Sequence, residues 1–434
     1  MIARIAVILT LLATLVATGS AQAAAPSPDD QRVVGRGATH ADSGKHKGHF
    51  VVRLRNGRTV VTHGPDPKVR QDALADHGSG LEAGDPERPP VCATDYYQHV
   101  LYARPARAAD RYALVKPQLQ AIVRRMNAVL NEEALESGNR NADYKVRCDG
   151  TGNIEVGQFI TRATDFTSVA SDAAAAGFDD PNADYTIFLD APDRTSCGVG
   201  SYWDDEQPGA DNANNNPGGF YGAGYGITYQ GCWDTQTPMH ENGHNQGAVG
   251  PNAPYSTGDG GHCRDEEDVM CYSDGGSRDF GVFTRCPEKL HFDCGHDTYF
   301  DAAPEPGEYL SDHWNIGSAA NRFVASGAPE LENGVRLRAV AGAPKTWSYY
   351  RVTVPEGASS LKLVLDGPDD GDLDLYVRRG EMPTKQSYDC RPASATADER
   401  CKFIAPEAGS WYVGVRSRST GAYRRYFLTA TYLF

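Results

Sequence analysis

The sequence predicts an α/β domain over residues 91–325, followed by an all-β sandwich over residues 326–434. In the first region, strands alternate with long amphipathic helices, as in folds that pack helices on a sheet. In the second, short alternating strands are separated by turns rich in Gly, Pro, Asp and Ser. The length of 434 residues also exceeds that of one average domain. Two domains are therefore expected.

The first 25 residues have the pattern of a signal peptide. An apolar run over residues 5–16 follows the positive Arg4, and residues 21–23 (Ala-Gln-Ala) fit the small-residue cleavage pattern. The run is too short to span a hydrocarbon core of about 30 Å. We predict a secreted, extracellular protein that has no membrane association after cleavage.

Residues 26–90 are polar, and one hairpin stands out in them over residues 49–62. Its turn is the pair Asn56 and Gly57, a strong two-residue turn signal. The rest is typical of a linker or of disorder. A propeptide and a flexible extension are both open interpretations. Inhibition by a cysteine thiolate is not expected, because no cysteine lies in this segment.

Net charge and cysteine content indicate which partners and which covalent links to expect. The net charge of -15 argues against nucleic acid as a partner. All ten cysteines follow residue 90, and an even number in an exported chain predicts disulfides.

The elements of the first domain follow from periodicity. Helices are predicted over residues 110–137 and 165–176, and residues 204–224 are predicted to form a long surface loop. Strands are predicted over residues 144–148, 154–160, 184–190 and 226–230.

The second domain has the spacing of a small sandwich. Strands are predicted over residues 347–354, 360–365, 373–378, 411–416 and 426–432. Cys390 and Cys401 both lie within this region and can pair there. An acidic run offers oxygen ligands that suit Ca²⁺, and a solvated acidic turn is the alternative. The run comprises Asp366, Asp369, Asp370, Asp372 and Asp374.

One segment carries the metal-binding pattern His-Glu-x-x-His. Thr237 is predicted to cap the helix and Pro238 to lie in its first turn. His240 and His244 then project from one helix face and can bind one metal ion. Glu241 is placed to take a proton from a metal-bound water. Zinc fits, since it accepts three protein ligands and lowers the pKa of a bound water to about 7.

The pattern resembles that of the metzincin metallopeptidases, His-Glu-x-x-His-x-x-Gly-x-x-His/Asp. The chain matches through Gly247, where the helix must end, but Gly250 stands at the next ligand position and has no side chain. Leishmanolysin-like metzincins carry an insertion there, and residues 248–261 look similar. The resemblance implies that His262 is the third ligand. The alternatives are Asp259, Asp265 and Asp268.

Residues 268–272 resemble the metzincin Met-turn. The resemblance implies that Met270 forms the apolar floor under the metal ligands and that Tyr272 stabilises the developing oxyanion. Ordinary core packing is the alternative for both. Cys263 and Cys271 are expected in one staple that closes the site. The remaining candidates are predicted to be surface or structural, namely His291, His296 and His313.

The C-terminal region resembles the bacterial pre-peptidase C-terminal domain. Residues 371–377 (Gly-Asp-Leu-Asp-Leu-Tyr-Val) and 409–415 (Gly-Ser-Trp-Tyr-Val-Gly-Val) carry the likeness. Such modules accompany secreted bacterial peptidases, so the resemblance implies a peptidase.

These patterns together predict a monomeric zinc-dependent endopeptidase that acts on protein or peptide substrates. Two alternatives stay open. One is a catalytically silent pseudopeptidase that binds a surface, and the other is a zinc amidase with a non-protein substrate. Glu241 favours an enzyme, because a purely structural zinc needs no general base.

Overall fold

A computed structural model gives the conformation of most of the chain. It describes residues 27–41, 48–67, 89–138, 141–216, 222–258, 260–265, 267–286, 290–326, 328, 330–341, 347–367, 372–392, 394–418 and 424–434. The predicted signal peptide lies outside the described residues, as do Asp259, Asp369 and Asp370.

The described elements alternate between strands and helices up to Ser326 and are strands thereafter. The helices are α1 Pro28–Val34, α2 Tyr112–Gly138, α3 Phe166–Ala175, α4 Gln236–Asn245 and α5 Tyr309–Asp312. The strands are β1 Thr39–His40, β2 Phe50–Arg53, β3 Thr59–Thr62, β4 Asp66–Pro67, β5 Val91–Cys92, β6 Tyr97–Pro105, β7 Ala142–Val146, β8 Val156–Thr161, β9 Ala183–Leu189, β10 Ser196–Gly200, β11 Gly224–Tyr229, β12 Val324–Ser326, β13 Arg336–Ala341, β14 Trp347–Val354, β15 Ser360–Asp366, β16 Leu373–Arg379, β17 Glu399–Ile404, β18 Gly409–Ser417 and β19 Arg424–Leu433.

The first domain is built on a nine-stranded sheet. Its strand order is β12-β7-β6-β9-β11-β10-β4, with β5 paired to β7 and β8 paired to β6. β6, β9 and β11 are parallel, whereas β10 is antiparallel to β11. All of β9 is buried, as expected for a strand covered on both faces. Helix α2 packs its apolar face against this sheet, including Leu119, Ile122 and Met126.

The N-terminal segment is ordered where it is described, so its interpretation as linker or disorder is wrong there. β1, β2 and β3 form a small sheet, and the predicted hairpin is confirmed, with Gly57 at a φ of +88° in its turn. Val34, Phe50 and Val52 are buried in one apolar cluster with the first domain. These apolar side chains are few and widely spaced, which is why the polar composition concealed them.

Two further features of the first domain differ from the predictions. The central strand β6 was missed, because Gln98 and His99 interrupt its apolar pattern while lying buried. Residues 204–216 are not a surface loop, since several of their polar side chains are buried. Asn215, for example, donates to the Ala320 carbonyl oxygen at 2.7 Å and accepts from the Arg322 amide at 2.8 Å.

The second domain is a sandwich of two antiparallel sheets, as the sequence predicts. One has the order β13-β19-β15-β17 and the other β14-β18-β16. Their inner faces share one apolar core that includes Leu363, Leu375 and Val413. β13 and β17 were not predicted. Arg336 and Arg338 in β13, like Arg400 and Lys402 in β17, place charged residues at alternate positions.

The two domains meet at an aromatic contact. The Tyr349 hydroxyl accepts a hydrogen bond from the Ala210 amide at 3.2 Å, and Trp314 packs in the same small apolar cluster. An ion pair joins Lys385 Nζ to Asp211 Oδ2 at 2.8 Å.

All ten cysteines are paired, as predicted. The pairs include the expected Cys263–Cys271 and Cys390–Cys401, and the others are Cys92–Cys148, Cys197–Cys232 and Cys286–Cys294. This pairing is consistent with an extracellular location. None of the helices in the described part of the chain has both the length and the apolarity needed to cross a membrane.

Candidate active site

Helix α4 carries the His-Glu-x-x-His pattern, but it begins differently from the prediction. Its cap is Thr235, and Thr237 lies inside the helix. The Thr237 amide donates to Asp234 Oδ1 at 2.7 Å, so the side chain of Asp234 satisfies an amide of the first turn. Pro238 follows within that turn. The helix ends at Asn245, close to the predicted end at Gly247, and Gly247 has a left-handed conformation at a φ of +76°.

Glycines on the neighbouring strands let this helix lie close to the sheet. A Cβ at Gly198 would lie 1.9 Å from Glu241 Oε1, and one at Gly226 would lie 3.1 Å from Glu241 Cβ. On the other side, a Cβ at Gly243 would lie 2.4 Å from Met270 Sδ. The sulfur of Met270 therefore packs directly under the helix, and Met270 is fully buried.

Three of the predicted ligands come together. His240 Nε2 lies 2.9 Å from His244 Nε2, and the ring centroids of His244 and His262 are 5.1 Å apart. All three side chains are buried. The segment after Gly247 folds back through hydrogen bonds such as the one from the Gly261 amide to the Val249 carbonyl oxygen at 2.7 Å. This return brings His262 to the helix.

Two of the histidine rings are oriented by hydrogen bonds from their Nδ1 atoms, on the side of each ring away from the cluster. His240 Nδ1 donates to the Val269 carbonyl oxygen at 2.7 Å, and His262 Nδ1 donates to Asp274 Oδ2 at 2.9 Å. Asp274 is itself held by the Thr257 hydroxyl at 2.8 Å. Because each Nδ1 carries the donated proton, each Nε2 is left to face the centre of the cluster.

Asp66 and His63 complete the cluster, and sequence reasoning missed both. Asp66 Oδ1 lies 3.0 Å from His262 Nε2 and 3.3 Å from His240 Nε2. The His63 ring packs against the His244 ring at an interplanar angle of 35°, with the ring centroids 3.7 Å apart. Both residues belong to the segment that was interpreted as propeptide or extension. The only signal in the sequence is that His63 and Asp66 directly follow the predicted hairpin.

Tyr272 lies at the edge of the cluster and is half-buried. Its hydroxyl donates to Asp66 Oδ1 at 2.5 Å, and its ring centroid is 4.3 Å from that of His262. The hydroxyl can therefore reach an oxygen atom that faces His262.

Glu241 is buried beside Asp66 and His240, with ligand atoms of the three residues within 4.8 Å of one another. Neither carboxylate oxygen has a hydrogen-bond partner in the described structure. Burial and the negative charge of Asp66 raise the pKa of Glu241 well above its ordinary value. A buried carboxyl group without partners is costly, and such groups are typical of functional sites.

The pKa values of the neighbouring groups are also shifted. Burial lowers the pKa of His244 well below its ordinary value, as do the nearby His63 and His240. Burial would lower the pKa of His262 too, but Asp274 and Asp66 raise it to about 9. Burial would raise the pKa of Asp66, but the histidines hold it well below its usual range.

The other described candidates for metal ligands lie away from His240, His244 and His262. Asp265 accepts from Arg285 Nε at 2.9 Å, and Asp268 Oδ1 accepts from the Cys294 amide at 2.6 Å. Three histidines are structural: His291 and His296 face Glu133, and His313 stacks on Tyr309.

The arrangement fits a zinc ion. Four donors around one tetrahedral zinc lie about 3.3 Å apart, given bond lengths of about 2.0 Å. The distances from Asp66 Oδ1 to His262 Nε2, 3.0 Å, and to His240 Nε2, 3.3 Å, are close to this value. Converging imidazole nitrogens without intervening protons repel one another unless a cation lies between them.

The acidic run that could bind Ca²⁺ is a less favourable metal site than the histidine cluster. Asp374 Oδ2 lies 3.3 Å from Arg391 Nη2 and 3.4 Å from Arg418 Nη1, and Asp366 pairs with Arg336. These cationic neighbours neutralise the carboxylates that calcium would need.

Comparisons with known proteins identify the family of the second domain. Residues 348–417 match the family model described as the bacterial pre-peptidase C-terminal domain. The pre-peptidase C-terminal domain of a collagenase from Bacillus anthracis covers 24% of this chain and 94% of its own, at 13% identity and a TM-score of 0.21. The second domain is a pre-peptidase C-terminal domain.

Named relatives match over the same region. The neutral protease of Vibrio proteolyticus is 37% identical over 92 residues, which are 21% of this chain and 15% of that protein. A zinc metalloprotease of Helicobacter pylori is 33% identical over 89 residues, 20% of this chain and 34% of that protein. The chain thus spans a minor part of either relative.

Proposed function

We propose that the chain is a secreted, zinc-dependent endopeptidase with a metzincin-like first domain. The convergence of His240, His244 and His262 beside the unpartnered carboxylate of Glu241 carries this proposal. Those histidines would hold the zinc, and Met270 would be its apolar floor. The names of the protease relatives agree with it, although the likeness is confined to the second domain.

The proposed roles follow from position. Zinc bound here would activate a water molecule and polarise the scissile carbonyl group. Glu241 would accept a proton from that water and deliver it to the leaving amine. The Tyr272 hydroxyl donates a hydrogen bond to the oxyanion that develops. A peptide substrate would lie extended along β10, on the edge that β4 occupies in this structure.

Glu241→Gln tests the proposed chemistry. The amide keeps the shape of the side chain but cannot accept the proton, so casein hydrolysis should fall by about 10²-fold or more while one zinc per chain is retained. Glu305→Gln, at an exposed position of the same domain, is the matched control. A Glu241→Gln protein that kept about half of the wild-type rate would contradict the assigned role.

The alternatives give different results in the same assays. A pseudopeptidase would bind zinc and hydrolyse neither casein nor small amides. A zinc amidase would cleave a chelator-sensitive non-peptide amide and leave peptides intact. Either result would remove the endopeptidase proposal.

A further inference from the structure

A second group of metal-ligand side chains lies where the C-terminal end of helix α2 meets residues 291–296. Glu133, Glu136 and His296 each offer one ligand atom, and these three atoms lie within 4.8 Å of one another. The two carboxylates share a helix face, because they are three residues apart on α2. His296 Nδ1 is 3.4 Å from Glu133 Oε1, which is close to the donor spacing of about 3.3 Å around a zinc ion with bonds of about 2.0 Å.

The Glu133 carboxylate is held in a fixed orientation. Its Oε2 accepts a hydrogen bond from the Phe292 amide at 2.8 Å and lies 3.3 Å from His291 Nδ1. The residue is only 2% exposed, so these contacts are made in the interior. Because the Phe292 amide engages Oε2, Oε1 is left to face His296. Outer hydrogen bonds of this kind commonly orient a carboxylate that binds a metal ion.

The imidazole of His296 has a nitrogen that its ion pair with Glu133 does not satisfy. Nδ1 is buried and makes no hydrogen bond within the part of the chain that the structure describes. The backbone of His296 has a φ of +52°, which is uncommon for a residue other than glycine and is typical of functional sites where it occurs. Its amide donates to the Asp293 carbonyl oxygen at 2.9 Å, which helps to hold this conformation.

The surroundings of the group favour a cation. Burial and the negative charges of Asp293 and Glu133 raise the pKa of Asp268 well above its ordinary value. Carboxylates that are buried close together repel one another, and a bound divalent cation offsets that repulsion.

We propose that Glu133, Glu136 and His296 bind a divalent transition-metal cation, for which Zn²⁺ is the best match. Imidazole and carboxylate ligands together suit zinc, whereas Ca²⁺ takes six to eight oxygen ligands. The site is separate from the histidine cluster around helix α4 and does not depend on the proposed function. Glu136 is exposed, so this cation exchanges with solvent and is removed by dialysis.

A cation here would steady the segment that orients His240. The Val269 amide donates to the His291 carbonyl oxygen at 2.9 Å, and the Val269 carbonyl oxygen accepts from His240 Nδ1 at 2.7 Å. His291 directly precedes Phe292, whose amide holds Glu133. The bound cation would therefore fasten helix α2 to the residues behind helix α4, and its role would be structural.

Calorimetric titration of the dialysed full-length chain with Zn²⁺ tests the site without relying on catalysis. One further zinc ion per chain should bind, and His296→Ala should lower its affinity by at least about tenfold, since a lost ligand costs no less than a lost orienting contact. Glu136→Gln should have the same effect, and it leaves the core intact because Glu136 is exposed. Added zinc should raise the Tm of the wild-type chain and leave that of His296→Ala unchanged.

Two substitutions serve as matched controls. Glu132→Gln removes a carboxylate from the same helix but from outside the group, and His313→Ala removes an imidazole that stacks on Tyr309. Both variants should bind the further zinc ion as the wild-type chain does.

The same titration of His240→Ala separates the two sites. Zinc binding that is lost in His240→Ala, and unchanged in His296→Ala and Glu136→Gln, would belong to the histidine cluster and would overturn the second site. A dialysed chain that takes up no further zinc would also overturn it. Binding that is weakened in His296→Ala and Glu136→Gln, but not in the two controls, would uphold the second site, whatever the zinc content of the histidine cluster.

Discussion

The candidate site residues differ in how well the sequence could predict them, and His262 is the intermediate case. His240, Glu241 and His244 follow from local spacing on one helix, which the i, i+4 geometry fixes. His262 depended on a family resemblance, because the return segment over residues 248–261 has no periodicity. Asp66 could not be predicted, since it lies 196 positions before its partner His262 and only the tertiary fold joins them.

The role of His262 can be tested by zinc retention. His262→Ala should lose zinc as severely as His240→Ala, because two imidazoles leave zinc under-coordinated and a third protein ligand is the norm. Zinc per chain after dialysis is the measurement, made in an Asp66→Ala background so that Asp66 does not substitute.

His313→Ala is the control for that experiment, since His313 stacks on Tyr309 away from the cluster. A His262→Ala protein with full zinc would move the third ligand elsewhere, and Asp259 would become the first residue to examine.

Asp274 is expected to act through His262. Asp274→Asn removes the charge that orients the imidazole, so zinc affinity should fall by about 10- to 100-fold. Competition with a chromogenic chelator measures the change. Asp279→Asn is the control, because Asp279 is a half-buried carboxylate nearby that accepts hydrogen bonds from the Ser273 hydroxyl and the Gly275 amide. Equal affinities in the two variants would show that Asp274 has no orienting role.

At the scale of elements, the long helix and most of the β-branched or aromatic strands were predictable, whereas strands interrupted by polar residues, such as β6, and the small-residue strand β10 were not. β10 reads Ser-Cys-Gly-Val-Gly, which has little strand propensity. Its glycines are required by the approach of helix α4 rather than by the strand itself. A contact between two distant elements thus determined the composition of β10, and no local rule detects it.

Gly198→Ala tests that contact. The added Cβ would lie 1.9 Å from Glu241 Oε1, so the carboxylate must move. Because a catalytic base depends on its position within about an ångström, hydrolysis should fall by about 10²-fold while zinc is retained. The peptidase assay uses an Asp66→Ala background.

Gly150→Ala is the comparison, because a Cβ there meets no atom within 4 Å. Its rate should match that of the parent. Wild-type hydrolysis by the Gly198→Ala protein would mean that Glu241 is displaced without consequence and is not the base.

At the scale of the molecule, the boundary between the domains falls after β12. Val324–Ser326 still pairs with β7, and the next strand belongs to the sandwich. The contact between the domains combines an apolar cluster around Trp314 and Tyr349 with the polar contacts of Ala210 and Asp211, and such partly polar contacts are common between domains of one chain.

Removal of residues 327–434 should therefore leave an active first domain. Hydrolysis of a small peptide should stay within about twofold, with a lower Tm because Trp314 and its apolar neighbours lose the cover of Tyr349. Peptide hydrolysis and thermal unfolding of the truncated protein in the Asp66→Ala background measure this. A soluble, zinc-loaded and inert product would show that the second domain is needed for catalysis.

The Cys263–Cys271 disulfide makes the geometry of the candidate site depend on the redox state of its surroundings. Cys263 directly follows His262, and Cys271 directly follows Met270, so one oxidation event fixes the proposed ligand and the proposed floor beneath it. In a reducing cytosol the two segments would be free to separate. Under the proposed function, metal capture would then be tied to a compartment in which thiols are oxidised.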